Sequence, residues 1–149
     1  MPFSGRIKIK VIEARELKPT EFSQRHNSMV GRASQQMLID PYVYIVIDDN
    51  YIDRSTTKQK TFRPIWNECF SANVLNAQNL LLTVFHDAAI PPDDFVANCT
   101  VPFDDLIQSQ NQNGVYESDF WVCLTRKSLF FNFHFNLKFI MTSNKCIDY

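Results

Sequence analysis

The chain has 149 residues, 45% of them hydrophobic, with 15 Lys and Arg against 16 Asp and Glu and a formal net charge of −1. This length holds one domain with a real core but not two comfortable ones. The apolar content and only three glycines exclude a disordered polymer. A balanced charge excludes overall electrostatic steering toward nucleic acid. The distribution is uneven, since no Lys or Arg occurs between Pro64 and Thr125. The first half is therefore expected to present a basic face while the second stays acidic.

Arg6–Val11 alternates basic and apolar residues, which predicts a strand with one buried and one basic face, not a signal peptide. Glu13–Thr20 leaves that strand, and Pro19 stops any regular element. Glu21–Met37 is a polar excursion of about 17 residues, longer than an ordinary strand connection and of the length that functional loops have. Tyr42–Ile47 is bulky on both pleats and predicts a central, two-sided strand. Asp48-Asp49-Asn50 tolerates turn dihedrals, so the chain returns antiparallel from Tyr51. Thr57–Thr61 is a basic extended segment that sets Lys58 and Lys60 on one face, suited to a phosphate-rich surface or simply to water.

Ile65–Val74 and the apolar run Asn79–His86 predict two more strands. Asp87–Asp94, with adjacent prolines, predicts a loop, and Phe95–Val101 re-enters a sheet. Pro102–Gln108 reads as a short helical turn with acids near its N-terminus. A Gln/Asn/Ser-rich loop then runs to Gly114, and Phe120–Leu124 is a strand. Phe131–Phe139 has five apolar residues strictly at odd positions, the cleanest period-2 pattern in the chain. Eight short strands with turn signals between them predict an all-β, eight-stranded antiparallel sandwich.

The inventory argues against catalysis: the chain has no glycine-rich nucleotide loop, no nucleophile elbow and no zinc-protease motif. His86-Asp87 beside Asp93-Asp94 reads more readily as solvated loop carboxylates than as an acid/base pair. The four cysteines lack zinc spacing and are expected as free thiols. No run approaches the ~20 apolar residues that span a bilayer.

The words EA-x-x-LKPT at Glu13–Thr20, S-x-RH at Ser23–His26, LIDPY at Leu38–Tyr42, TKQKT at Thr57–Thr61, VFHDA at Val84–Ala88 and DDFVANCT at Asp93–Thr100 carry a resemblance. In them the chain resembles the C2 domain of the calcium-independent ("novel") protein kinase C family, epsilon/eta type, from about Phe3 to Leu124. The resemblance implies a C2-type sandwich whose loops after the first and fifth strands form one membrane-facing end. It implies the regulatory part of a lipid-activated Ser/Thr kinase, with no catalytic residues and no kinase motif in this chain. From Thr125 the sequence departs from the family pattern, although FNFHFNLKF keeps the period of a last strand. The expected organisation is a core over residues 1–124 and a divergent tail, 125–149, supplying that strand from Phe131–Phe139. Pro92 also departs, standing where related loops carry an aromatic residue.

The resulting expectation is a cytoplasmic, monomeric, calcium-independent module that attaches reversibly to anionic phospholipid such as phosphatidic acid or phosphatidylserine. No cofactor and no metal are expected. Phe22 and Ile90 would insert, Arg25 and Arg32 would meet lipid phosphates, and Lys58 and Lys60 would assist. The alternative is docking to an anchoring protein through Glu13, Leu17 and Lys18 in one stretch and His86, Asp87 and Asp93 in another. The free domain would then compete with a full-length kinase.

Overall fold

The computed structural model describes residues 2–20, 29, 31, 37–107, 115–124 and 133–143; of 115–124, 133–135, 139 and 143 it describes the backbone alone. Among the described residues the elements follow in the order β1 (Phe3–Arg15), β2 (Pro41–Ile47), β3 (Asn50–Arg54), β4 (Ile65–Ala77), β5 (Asn79–His86), β6 (Asp94–Pro102), α1 (Phe103–Ile107), β7 (Val115–Leu124) and β8 (Phe133–Ser143). They form two four-stranded antiparallel sheets, β4-β1-β8-β7 and β3-β2-β5-β6. Their facing sides enclose one core, the sandwich arrangement expected from the alternation.

The period-2 pattern decides which side chains enter that core. On β1, Ile7, Ile9 and Val11 are at most 1% exposed, while Arg6 and Lys8 face water. On β2, Val43, Ile45 and Ile47 point inward against Leu80, Leu82 and Val84 of β5. Tyr44 and Val46 are half-buried on the other face. Among the described residues no second layer of secondary structure covers them there. Instead Tyr44 stacks on Tyr51 at 4.7 Å, and Phe85 meets Tyr42 and Phe95 at 5.8 and 6.4 Å. The two-sided apolar pattern of β2 thus reports a central strand whose outer face is covered by its own aromatic neighbours.

The β2–β3 turn has two residues, Asp48 and Asp49, both with positive φ (43° and 66°), as the right-handed strand twist demands of a two-residue hairpin. The Asp48 carboxylate also accepts the backbone N–H groups of Gln78 and Asn79, both at 2.8 Å. It thereby locks this turn to the one between β4 and β5.

β1 begins at Phe3 rather than Arg6, β4 runs on to Ala77 rather than Val74, and the bounds of β1, β7 and β8 differ further from expectation. β1 runs on to Arg15 because a bulge between Val11 and Glu13 re-aims it while pairing continues on both sides. β7 begins at Val115 rather than Phe120, since residues too polar to look like a strand still complete a ladder with β8. β8 spans Phe133–Ser143, starting later and ending later than Phe131–Phe139, with Leu137 and Met141 fully buried. Phe131 lies outside the described residues.

Candidate functional site

One end of the sandwich gathers the β5–β6 loop (residues 87–93), the connection 55–64 between β3 and β4, and the segments that follow β1 and precede β2. Backbone bonds stitch them together. Ser55, Lys58 and Thr61 donate their N–H groups to the carbonyls of Val43, Pro41 and Ile39 at 2.8, 3.0 and 2.9 Å. Asp87 N–H donates to the Asp40 carbonyl at 2.9 Å, and Leu17 N–H to that of Phe62 at 3.1 Å. The connection therefore lies extended along the entry to β2, although it is not a strand.

Among the described residues, four loop-end carboxylates each accept a hydrogen bond from the protein itself. Asp40 accepts Lys60 N–H at 2.6 Å. Asp87 accepts the Thr57 hydroxyl at 2.7 Å and faces the Arg54 guanidinium at 3.9 Å. Asp93 accepts the Tyr42 hydroxyl at 2.7 Å and Ala88 N–H at 3.1 Å. Asp94 accepts the Thr20 hydroxyl at 3.2 Å. The His86 ring joins the set, its Nδ1 accepting Asp40 N–H at 2.9 Å. Arg54 sits 3.8 Å above the Tyr42 ring, a cation–π contact that buttresses the phenol.

The protonation states follow from this packing. Burial, reinforced by the hydrogen bond to Asp93, pushes the Tyr42 phenol up to about 12. The same hydrogen bond holds the Asp93 carboxyl below its ordinary range. Tyr42 therefore stays a donor and Asp93 an ionised acceptor at neutral pH. Among the described residues no three His, Cys, Asp or Glu side chains converge to hold a metal ion, and no helix is long and apolar enough to cross a membrane.

Of the residues singled out in the sequence, Lys58, Lys60, His86, Asp87, Ile90 and Asp93 share this end. Ile90 is 83% exposed at the loop tip, beside a cis Pro91-Pro92 bond. Phe22, Arg25 and Arg32 lie outside the described residues. Two expectations need correcting. Lys58 and Lys60 do not share the face of a strand, because Lys60 has φ +50° and breaks the alternation. Leu17 is 3% exposed within the core, so it offers no surface to a partner. Glu13 is half-buried and paired with Arg15 at 2.8 Å, and Lys18 is half-buried. Sequence reading missed Tyr42, Thr57, Thr20 and Arg54 as organisers of the loops. Their carboxylate partners lie 30 to 74 positions away, and no local signal marks them.

The C2 domain family matches residues 5–118. A protein kinase C of Drosophila melanogaster is 52% identical over 122 residues, which are 82% of this chain and 16% of that protein. The epsilon type of Oryctolagus cuniculus is 46% identical over the same shares, and the eta type of Homo sapiens 39% over 83% and 17%. The chain thus spans about a sixth of the length of these relatives, and their kinase portion has no counterpart in its 149 residues. Among solved structures, a C2 domain of plant extended synaptotagmin 1 superposes with a TM-score of 0.70 at 18% identity, covering 96% of this chain and 97% of that one. A structure of two C2 domains of extended synaptotagmin 2 gives 0.68 at 19% over 96% and 43%. Both support the sandwich fold alone.

Proposed function

Because this chain belongs to the C2 domain family, and its relatives are protein kinases C, we propose that it is a calcium-independent membrane-targeting module docking on anionic phospholipid through the loop end. The observation that carries this reading is the internal hydrogen bonding of Asp40, Asp87, Asp93 and Asp94. Calcium takes about six to eight oxygens in one cage. Carboxylates committed to Lys60 N–H, Thr57, Tyr42 and Thr20 would have to abandon those donors to form one. In this reading Ile90, 83% exposed at the loop tip, and Lys58 and Lys60 of the connection 55–64 meet the membrane. Phe22, Arg25 and Arg32 complete the proposed set.

The energetics favour a reversible attachment. Each basic residue near an anionic surface contributes ~1 kcal/mol. Partial burial of Ile90 among headgroups adds about 1 kcal/mol, less than the ~1.5–3 kcal/mol of full burial. Such a module sits in the cytoplasm, samples membranes rich in phosphatidic acid or phosphatidylserine, and needs a second anchor to stay. This is how it would serve a lipid-activated Ser/Thr kinase. Vesicle co-sedimentation of the Ile90→Asp variant tests the orientation: binding to anionic vesicles should fall about tenfold, with the melting temperature unchanged. Undiminished binding would show that the loop tip does not enter the membrane.

The half-exposed Asp87 and Asp93 favour a second reading, in which the same end docks on a basic anchoring protein and Lys18 extends the contact. Under that reading the free domain competes with a full-length kinase for the anchor. A pull-down with residues 86–93 scrambled separates the two, since protein docking would be lost while binding to vesicles through basic residues would persist in part.

A further inference from the structure

A second charged surface lies away from the loop end, on the outer face of the β4-β1-β8-β7 sheet. Because Ile7, Ile9 and Val11 of β1 fill the core, the alternate residues Arg6, Lys8 and Lys10 form a row on the opposite face. Two residues of strand advance about 6.6 Å, so the three cations span about 13 Å. The flanking register sets only uncharged residues beside Arg6 and Lys8: Asn73 and Ser71 on β4, Thr142 and Ile140 on β8. Lys10 lies between Cys69 and Lys138. Among the described residues Arg6, Lys8 and Lys10 have no ion-pair partner. Lys138, which stands opposite Asp119 in the register, does make an interaction of its own, so Lys8 and Lys10 carry the argument.

Lys8, Lys10, Cys69, Lys138 and Ile140 line a groove of about 260 Å³. We infer that this groove binds a compact polyol bearing two or more phosphate groups, of the inositol phosphate class, at a site separate from the loop end. Two ammonium groups rooted about 6.6 Å apart match phosphates on neighbouring positions of one small ring, not a single carboxylate. The volume lies just under the ~300–1,000 Å³ of pockets for larger organic ligands. Besides the Cys69 thiol, Ile140 is the only apolar side chain of this lining among the described residues. Among the described residues a nucleobase would therefore find no aromatic surface there on which to stack. Lys10 lies five residues before the loop-end terminus of β1, about 16 Å of strand. That is roughly twice the ~8 Å over which charges act at physiological salt, so the groove would act independently of the membrane-docking end.

The test uses the full 149-residue chain with inositol 1,4,5-trisphosphate as the probe. Titration calorimetry should give saturable binding at one site, weakened about 25-fold in the Lys8→Ala/Lys10→Ala variant, at about fivefold per lysine. The melting temperature of that variant should match the wild type. Saturating probe should also slow alkylation of exposed Cys69, followed by peptide mass spectrometry. ATP should compete poorly. Vesicles carrying a phosphatidylinositol bisphosphate separate the two sources of this chemistry. Probe binding and vesicle binding both lowered in the Lys8→Ala/Lys10→Ala variant assign the site to a lipid headgroup, and probe binding lowered with vesicle binding unchanged assigns it to a soluble ligand, the loop end then accounting for the vesicles; either supports it. Absence of binding, binding unchanged in the double variant, or Cys69 alkylated at an unchanged rate would each overturn it.

Discussion

Tyr42 and Asp93 show how single residues set the state of the loop end. Asp93 is held below the ordinary carboxylate range chiefly by the Tyr42 hydrogen bond. Its contribution to stability is therefore present at neutral pH and lost as pH falls through that depressed value. Tyr42 is raised from 10.0 to about 12, so its contribution is complete below pH 10 and lost as pH rises toward about 12. Tyr42→Phe should cost about 1 kcal/mol at pH 7, the net worth of a typical hydrogen bond. Asp93 should then titrate at a higher pH, which NMR titration of its carboxyl group would report. An unchanged Asp93 titration would mean that the phenol does not govern it. The sequence made Asp-Pro-Tyr legible as a strand entry, because proline and alternation are local signals. It could not disclose that the phenol closes a loop 51 positions away.

Elements were legible where alternation was strong and blurred where pairing overrode composition. β2, β5 and the Asp48-Asp49 turn followed from local chemistry. β7 did not, because Val115–Asp119 becomes strand only by bonding to β8. β8 lies between β1 and β7 and buries Leu137 and Met141 completely. Each such side chain is worth ~1.5–3 kcal/mol, and removing the strand would also bare two sheet edges. Truncation after Leu124 should abolish the cooperative thermal transition in calorimetry; an equally sharp melt at the same temperature would contradict this. Asp48 offers a milder test of the opposite end. Asp48→Ala removes the acceptor of two backbone N–H bonds and puts alanine, which has no turn preference, at φ 43°. It should lower unfolding free energy by about 1–3 kcal/mol in urea titrations. Asp48→Asn, which keeps one acceptor and tolerates that φ, should cost less.

For the whole molecule, one row of basic residues stands apart from the loop end, where cations and carboxylates mix. The basic row of β1 lies on one sheet face, and the four internally bonded carboxylates lie at the loop end with Lys58, Lys60 and Ile90. Motif words identified the family and its sandwich. The state of the loop carboxylates was beyond them, since it depends on donors from four different segments meeting at one end.

These loops are proposed to meet an anionic membrane without metal. The decisive measurement is co-sedimentation with neutral and phosphatidic-acid-rich vesicles, at low and high salt, in chelator and in 100 µM calcium (about tenfold above the weakest sensor affinities). Binding is expected to the anionic vesicles alone, weakening steeply with salt as exposed charges are screened, and identical in chelator and calcium. Binding that requires calcium, or equal binding to neutral vesicles, would contradict it.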